Sequence, residues 1–473
     1  MGSIAVSSVL RRLYEPEFLV KEHLRQGKFP TAKEAYGEAF SIAWAATAET
    51  VLIALIAITN IIMVSSAGET ALAAVGLVNQ PRFIVQALVM SMNAAVTSIC
   101  ARRRGQGDPM GAISCLKQGL ILSVGFSVIL SVIAFVTAEP LIWLVGAQED
   151  TFHLARDYYL ILLYGIPLSN LSMTISAAQR GLGRTRVSMR INLVASIVNL
   201  FFNYVLINGV WFFPKLGVVG SAIGNCIGWG AGFLVAVWSV SHKDDFLCIF
   251  TRGGWTFTEK SIASFYKVTS GSFLEQLSLR VGMLLYSMII ARLGTEMLAA
   301  HVILQNIFSL SFSFGEGYGI SASALVGRNL GARRPDLSML YGKVVQRMSL
   351  ITSFILFLIF IFGGRAIMML FTSSENILAI GGPILILIGL TTVWQNSQIV
   401  YAGGLRGAGD TRYIAAISLI SIVIFRPVMA YILVYPLGWA LFGAWFSLLI
   451  DQLIRLGLIF KRFSSGKWSG IEL

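Results

Sequence analysis

The chain has 473 residues, of which 56% are hydrophobic and only 12% are charged, and its mean hydropathy is +0.75. So few charged side chains cannot cover the surface of a water-soluble protein, which excludes a string of soluble domains of this total length. Long apolar stretches, each of about twenty residues, account for such a composition. We therefore expect an integral membrane protein built from helices.

The formal net charge of +13 would also suit a protein that binds nucleic acid, but the positions of the basic residues argue against that class. When the apolar segments are read as membrane helices with the N-terminus inside, most Lys and Arg residues fall on one side. This asymmetry is the positive-inside bias of membrane proteins. It predicts a multi-pass protein of the cell membrane with both termini in the cytoplasm. Membrane lipids, rather than nucleic acid, are the expected partners of the basic loops.

Twelve apolar segments succeed one another along the chain, in two series of six. Their approximate positions are 39–65, 71–100, 118–138, 158–180, 187–209, 216–240, 262–292, 297–327, 344–364, 378–404, 413–434 and 437–460. Each of them is long enough to cross a bilayer as a helix. The sequence therefore predicts an all-α integral membrane fold with twelve transmembrane helices.

Polar stretches set the domain boundaries that we expect. The segment 1–35 is too polar for a signal peptide, and it is predicted to be a cytoplasmic amphipathic stretch. The N-lobe is predicted at 36–241 and the C-lobe at 261–461, with six helices in each. A cytoplasmic linker at 242–260 joins the lobes, and a cytoplasmic tail at 462–473 closes the chain.

The two halves of the sequence repeat each other at one constant offset, without a gap. The offset places Arg102 on Arg328, and it places the motif RGLG at 180–183 on RGAG at 406–409. We call it the repeat offset. Six helices return the chain to the same side of the membrane, so the lobes are parallel repeats about an axis along the membrane normal. Two pseudo-symmetric lobes of this kind leave a cleft between them, where substrate is expected.

Several short motifs occur in a fixed order along both halves. They are ETALAAVGL at 69–77, the basic loop at 102–107, RGLG at 180–183, PKLGVVGSA at 214–222, LAAH at 298–301, VGRNLGA at 326–332 and LRGAGDT at 405–411. Together these motifs resemble the multidrug and toxic compound extrusion (MATE) family, over residues 36–460. The resemblance implies a two-lobed transporter with a central cavity, which exports organic cations and other drugs while protons or sodium ions flow inwards.

Three glutamates within the predicted helices are candidates for cation coupling: Glu49, Glu275 and Glu316. A charged carboxylate in a bilayer costs about 2.5–3.5 kcal/mol, so a transporter keeps one where it lines a cavity or binds a cation. Glu49 and Glu275 lie mid-way along the first and seventh helices, separated by the repeat offset, and are therefore pseudo-symmetric partners. Glu316 lies between Gly315 and Gly317 in the inner half of the eighth helix. The alternative is a carboxylate that a hydrogen bond or an arginine neutralises.

The resemblance supports Glu275, which matches a family glutamate of the seventh helix, but three other family carboxylates are amides here. Asn60 stands in the first helix, Asn203 in the fifth helix four residues after Asn199, and Gln395 in the tenth. Amides cannot take a proton, although they can ligate sodium or form hydrogen bonds with a substrate. Either the coupling rests on the three glutamates, or this member couples weakly or differently.

Polar and aromatic residues near mid-membrane are candidates for the substrate cavity. The predicted cavity residues are Asn60, Asn199, Asn203, Tyr286, Asn306, Gln395, Gln398 and Arg426. Arg426 could pair with Glu275 or Glu316, face an anionic substrate, or belong to a fixed ion pair within its lobe. Asp451 and Arg455 are four residues apart on the last helix, a spacing that favours a structural pair.

The glycine motifs at 180–183 and 406–409 are not followed by strand–helix units, and the sequence contains no Walker lysine pattern, so an ATP site is not predicted. The sequence gives no support for an enzyme, a cofactor or a bound metal. We predict a monomeric secondary active transporter that exports organic, cationic drugs or metabolites by antiport against H⁺ or Na⁺. The alternative is a flippase or exporter of a lipid-linked or polar metabolite in the same broad superfamily.

Overall fold

A computed structural model of the chain describes residues 14–144, 147–210, 213–242 and 246–473. Within these ranges the chain forms helices, turns and short connections, with no β-strand. The twelve long helices are α1 (Ala32–Ser65), α2 (Glu69–Gln106), α3 (Pro109–Val136), α4 (Glu149–Gly181), α5 (Thr185–Asn208), α6 (Gly217–Ser239), α7 (Glu259–Ala291), α8 (Thr295–Gly331), α9 (Pro335–Met369), α10 (Glu375–Gly407), α11 (Thr411–Val434) and α12 (Ala440–Ser464). Eleven helices of the described part are long and apolar enough to span a membrane.

These helices confirm the predicted all-α membrane fold, and shorter elements complete it. The short helices are Pro16–Leu19, Glu22–Leu24, Ala138–Leu144 and Lys467–Gly470. Helix α11 is not uniform, because a π-helical stretch at Leu419–Phe425 interrupts it just before Arg426 and Pro427. A proline cannot donate a backbone hydrogen bond to the preceding turn, and wider helical turns of this kind are often found at functional sites.

The internal repeat is visible in the backbone. Helices α4 and α10 begin and end at positions that the repeat offset relates, and each is followed by a glycine with a left-handed backbone, Gly183 (φ 75°) and Gly409 (φ 84°). The N–H of Gly183 donates to the carbonyl of Arg180 and that of Gly409 to the carbonyl of Arg406, both at 2.9 Å. The motifs RGLG and RGAG are therefore helix C-terminal turns, in which glycine avoids the strain of a positive φ.

The repeat extends to buried side chains. The amide nitrogen of Asn170 donates to the hydroxyl of Ser127 at 2.7 Å, and that of Asn396 donates to Ser353 at 2.8 Å. Both pairs are buried, and the repeat offset relates each residue of the second pair to its counterpart in the first. The same polar contact therefore joins α3 to α4 and α9 to α10.

Packing divides the chain into two compact units. Among the described residues, the first unit comprises those within 51–269, and the second comprises 14–50 and 270–473. The division assigns the first part of α1 to the second unit, whereas the repeat predicts an N-lobe at 36–241 and a C-lobe at 261–461. The lobe boundaries therefore stay predictions.

In the first unit, α4 packs against α2, α3 and α6, and α5 packs along α6. Glycines let α5 and α6 approach closely, since a Cβ on Gly228 would lie 2.7 Å from the carbonyl oxygen of Ala195. The described part of the predicted linker folds onto α3, where Lys117 donates to the carbonyl of Gly253 at 2.8 Å. Residues 243–245 of that linker lie outside the described residues.

In the second unit, α10 is central and packs against α8, α9 and α12. A Cβ on Gly407 would overlap the carbonyl oxygen of Ser323, so this glycine is required for the contact between α10 and α8. The N-terminal segment packs on α9 through Leu19 and Val20, which are 5% and 1% exposed. The C-terminal tail folds back as well, and Trp468 stacks on Phe463 with ring centroids 5.2 Å apart.

Candidate functional site

Glu275 lies mid-way along α7, where its side chain is buried with 6% of the residue exposed. Its carboxylate oxygen Oε1 lies 3.6 Å from Nη2 of Arg406 on α10, within the second unit. The structure therefore shows the alternative in which an arginine neutralises the carboxylate. Only the carboxylate of this pair is buried, since the side chain of Arg406 is 31% exposed, so loss of the arginine would leave the buried charge of Glu275 without this partner.

Glu275 lies close to the end of α10. Arg406 is the penultimate residue of α10, and a Cβ on Gly271 would lie 2.5 Å from the hydroxyl of Thr411, the first residue of α11. Glu275 thus lies one helical turn from the connection between α10 and α11, on the side that the basic loops predict to be cytoplasmic.

Glu49 is also buried, with 2% of the residue exposed, at the middle of α1. The part of α1 around it packs on α8: the hydroxyl of Thr50 donates to the carbonyl of Ser313 at 2.7 Å. A Cβ on Gly317 would overlap the Cα of Thr47. By this packing Glu49 belongs to the second unit, the unit that also contains Glu275.

Glu316 differs from the other two glutamates because its side chain is exposed. The glycines on either side of it, Gly315 and Gly317, are buried against α10 and α1. The close packing of these glycines turns the intervening side chain to the opposite face of α8. The role of Glu316 in cation coupling therefore stays a prediction, now for an exposed carboxylate rather than a buried one.

Four asparagines from three helices form a connected cluster in the first unit. Asn60 on α1 donates to Asn199 on α5, Asn203 donates back to Asn60, and Asn199 donates to Asn225 on α6, each at 3.0 Å. Asn225 in turn donates to the carbonyl of Ser221 at 2.9 Å. We call Asn60, Asn199, Asn203 and Asn225 the amide cluster. Three of its members are predicted site residues, which the structure brings together.

The amide cluster leaves one acceptor open. Asn203 is fully buried, and no donor among the described residues reaches its side-chain carbonyl oxygen. A buried amide oxygen of this kind can accept a hydrogen bond from a substrate or coordinate a sodium ion. The cluster contains no group that exchanges a proton near neutral pH.

The second unit carries charged groups at the equivalent place. The repeat offset takes Asn60 to Tyr286 and Asn225 to Asp451. Asp451 accepts hydrogen bonds from Nε of Arg426 at 3.0 Å, from Nη2 of the same arginine and from the hydroxyl of Ser421. We call the group of Asp451, Arg426 and Ser421 the ion-pair cluster.

The ion-pair cluster settles the partner of Arg426. Its guanidinium binds Asp451, rather than Glu275 or Glu316, and the side chains of the pair are 7% and 0% exposed. Arg455 lies 4.0 Å from the same carboxylate, one turn further along α12. Arg426 is thus held in a fixed ion pair inside the second unit, instead of lining a substrate cavity.

The remaining predicted cavity residues lie on α7, α8 and α10. Tyr286, 4% exposed, lies in the apolar core of the second unit and packs edge-on against His301, with ring centroids 5.8 Å apart. Its ring packs among side chains of α8 and α12 here, and its role in a substrate cavity stays a prediction. Gln395 and Gln398 are buried on the central helix α10, while the side chain of Asn306 on α8 is exposed in part.

Three residues of these polar contacts could not be named from the sequence. They are Asn225 in the amide cluster, Arg406 beside Glu275, and Asp451 as the partner of Arg426. The repeat contained a signal for two of them, since Asn225 and Asp451 are equivalent positions that both contact a polar group on a neighbouring helix. The pairing of Arg406 with Glu275 joins residues far apart in the chain, and only the fold reveals it.

An all-helical membrane chain with a repeated helical unit and polar clusters buried between its helices defines a multi-pass membrane transporter. The sequence profile of the MatE family matches this chain twice, over residues 45–205 and 272–432. The chain therefore belongs to the MatE family, the multidrug and toxic compound extrusion transporters that its motifs resemble. The two matched ranges are the two halves of the repeat. This is a family of transporters, not of enzymes.

Relatives of similar length support this assignment. The chain is 26% identical over 458 residues to the "Probable multidrug resistance protein NorM" of Thermotoga maritima, and the match covers 95% of this chain and 96% of the relative. It is 25% identical over 436 residues to the "Uncharacterized transporter YisQ" of Bacillus subtilis, with 91% and 94% covered.

Solved structures share the fold. A transporter of the MOP superfamily from Pyrococcus furiosus superposes with a TM-score of 0.85 at 20% identity, covering 92% of this chain and 97% of that one. A multidrug resistance MATE family transporter in an outward-facing conformation gives a TM-score of 0.86, also at 20% identity, with the same coverage. These likenesses confirm the twelve-helix architecture.

Proposed function

We propose that this protein is a secondary active exporter of organic, cationic drugs or metabolites, which works by antiport against H⁺ or Na⁺. Several of its relatives carry the name multidrug resistance protein. Export against a concentration gradient needs an energy source, and an inward cation gradient supplies about 2.3 kcal/mol per charge for each 100 mV, in addition to its chemical term. The protein acts as a monomer in the cell membrane, with both termini in the cytoplasm.

The observation that carries the coupling proposal is the contact between Glu275 and Arg406. The buried carboxylate has its guanidinium partner at 3.6 Å, so an incoming proton or sodium ion competes directly with an arginine for the same oxygen atoms. A cation on Glu275 removes the attraction between the middle of α7 and the end of α10. Binding of the cation thereby favours a conformation in which these two elements separate.

The other polar groups have supporting roles in this proposal. Glu49, the repeat partner of Glu275, is a second buried carboxylate that can take the same cation. Glu316, which is exposed on α8, attracts cationic substrates by its charge. The amide cluster supplies neutral hydrogen-bonding groups and the one open acceptor on Asn203.

The proposal is tested by transport with the purified protein in proteoliposomes that contain a fluorescent cationic dye. A pH gradient, a sodium gradient or neither is imposed, and dye movement is followed. We expect movement with one of the two gradients, and we expect that a matching ionophore abolishes it. Dye movement that needs no gradient, or that needs ATP, would contradict antiport. Protein-free vesicles under the same gradients are the control.

A second candidate is export of an anionic, lipid-linked or polar metabolite. The observation in its favour is an excess of basic groups around the buried charges of the second unit. Arg406, Arg426 and Arg455 there face the carboxylates of Glu275 and Asp451. Excess positive charge suits an anionic substrate. Gradient-driven movement of an anionic dye, without movement of the cationic one, would select this candidate.

A further inference from the structure

A cavity of about 490 Å³ lies within the second unit, away from Glu275 and from the ion-pair cluster. The N-terminal segment forms one wall through Phe18 and Leu19, and the other walls come from α9, α10 and α12. The volume is within the range of about 300–1,000 Å³ that is usual for small-molecule sites. The residues that line this cavity have no role in the transport mechanism proposed above.

The polar wall of the cavity is basic. Lys343 and Arg347, one turn apart on α9, both line it, and no acidic residue is among its described lining residues. The ammonium group of Lys343 donates to the backbone carbonyl of Leu19 at 2.7 Å, and Arg347 donates to the side chain of Gln346 at 2.6 Å. These bonds hold both cationic side chains beside the cavity. Both acceptors are neutral oxygens, so these bonds leave the positive charges in the wall uncompensated.

The opposite wall is apolar and reaches the surface of α12. Leu453 and Phe460, seven residues apart on one face of α12, line the cavity while remaining 41% and 43% exposed. Exposed apolar side chains in a row along a membrane-spanning helix face lipid. The cavity is therefore continuous with a surface that acyl chains cover.

The position along the helices fits the membrane interface. Lys343 and Arg347 lie in the third and fourth turns of α9, the helix that follows the basic loop with Arg333 and Arg334, and Phe460 lies about one turn before the end of α12. The positive-inside rule predicts that these helix ends are cytoplasmic. At this depth, basic pockets between helices are suited to the head groups of anionic lipids.

We propose that the cavity is a binding site for an anionic phospholipid of the inner leaflet. The phosphate of the lipid contacts Lys343 and Arg347, and an acyl chain runs along the exposed apolar face of α12. Charge-assisted hydrogen bonds from two cationic side chains suit a phosphate group. A soluble anion would leave the apolar wall unused, and a cationic drug would be repelled by both basic groups. The lipid also contacts Phe18, so it would connect the N-terminal segment to α9 and α12.

The test uses the full-length protein in detergent, titrated with phosphatidylglycerol or with phosphatidylcholine of identical acyl chains, with bound lipid counted by native mass spectrometry. We expect tighter binding of phosphatidylglycerol. The double variant K343Q/R347Q should weaken that binding about 30-fold, since each basic side chain is worth about 1 kcal/mol towards anionic lipid and about 1.4 kcal/mol is tenfold. The matched control K461Q/K467Q removes two exposed charges from the same end of the molecule and should change the affinity less than about threefold.

A second variant keeps the charge and fills the space. A Cβ on Gly457, which lines the cavity, meets no atom within 4 Å, so Gly457→Leu can fold while its side chain occupies the site. It should weaken phosphatidylglycerol binding about fivefold or more. Equal affinity for the two lipids, an equal loss in K461Q/K467Q, or full competition by free glycerol phosphate would each overturn the proposal. Unchanged binding in Gly457→Leu would do so as well.

Discussion

The two units place different chemistry at equivalent positions of one repeat. In the first unit, Asn60 and Asn225 belong to the neutral amide cluster. Their counterparts at the repeat offset are Tyr286 and Asp451, and Asp451 forms the buried ion pair with Arg426. The helical scaffold is therefore shared, while the charge is not. Since the buried carboxylate of Glu275 and its partner Arg406 also lie in the second unit, we propose that cation coupling belongs to that unit.

This contrast has energetic consequences. Loss of one neutral hydrogen-bonding partner leaves a buried polar group unsatisfied, at a cost of about 1–3 kcal/mol. Loss of one member of a buried ion pair leaves an uncompensated charge, at a cost of about 3–5 kcal/mol. Equivalent substitutions in the two units should therefore destabilise them by different amounts.

The largest effect is expected at the ion-pair cluster. Asp451→Asn keeps the shape of the side chain but removes the only carboxylate that Arg426 contacts among the described residues. We expect a loss of about 3–5 kcal/mol in the free energy of unfolding, measured by denaturant unfolding in detergent. The exposed pair of Arg365 and Glu375 is the matched control, and Glu375→Gln should cost no more than about 1 kcal/mol. Equal effects at the two sites would show that the buried pair is not structural.

A smaller effect is expected in the amide cluster. Asn203→Leu keeps the branched outline of the side chain but removes the hydrogen bond that Asn203 donates to Asn60. The free energy of unfolding should fall by about 1–3 kcal/mol, in the same denaturant experiment. A loss as large as that of Asp451→Asn would break the comparison, because it would mean that the neutral cluster holds a charge or an ion.

The smallest effect is expected at the shared turns. Gly183 and Gly409 have φ angles of 75° and 84°, a conformation that costs an alanine about 1–2 kcal/mol. Gly183→Ala and Gly409→Ala should each lower the thermal midpoint. The two decreases should be similar in size, because the two backbones are equivalent. A decrease confined to one variant would show that the repeat is not preserved at this level.

Much of the fold could be predicted from the sequence, because length, apolarity and the constant repeat offset are local or periodic signals. Twelve helices, their order and the repeated turns after α4 and α10 follow from them. The packing of the first part of α1 with the second unit could not be predicted, since it depends on contacts such as that of Thr50 with Ser313. No periodic pattern contains such long-range contacts.

The candidate site was less accessible to prediction. Residue type and spacing indicated Glu275 and three members of the amide cluster, because polar groups within apolar helices are conspicuous. The same signal could not give the orientation of Glu316, whose glycine neighbours indicate close packing without indicating which face packs. Residue type could not decide the surroundings of Tyr286 either, because an aromatic ring fits a core or a cavity equally well.

The assignment of coupling to the second unit is tested most directly by comparing two variants in transport. Glu275→Gln and Asn203→Leu are reconstituted in equal amounts of folded protein, and dye efflux is measured under the gradient that drives the wild type. We predict that Glu275→Gln loses gradient-driven efflux by about tenfold or more, since an amide carries no charge for which a cation and Arg406 can compete. Asn203→Leu should lower efflux less than Glu275→Gln does, because the amide cluster has only a supporting role in the proposed mechanism. Efflux at the wild-type rate in Glu275→Gln, with loss of efflux in Asn203→Leu, would contradict this account.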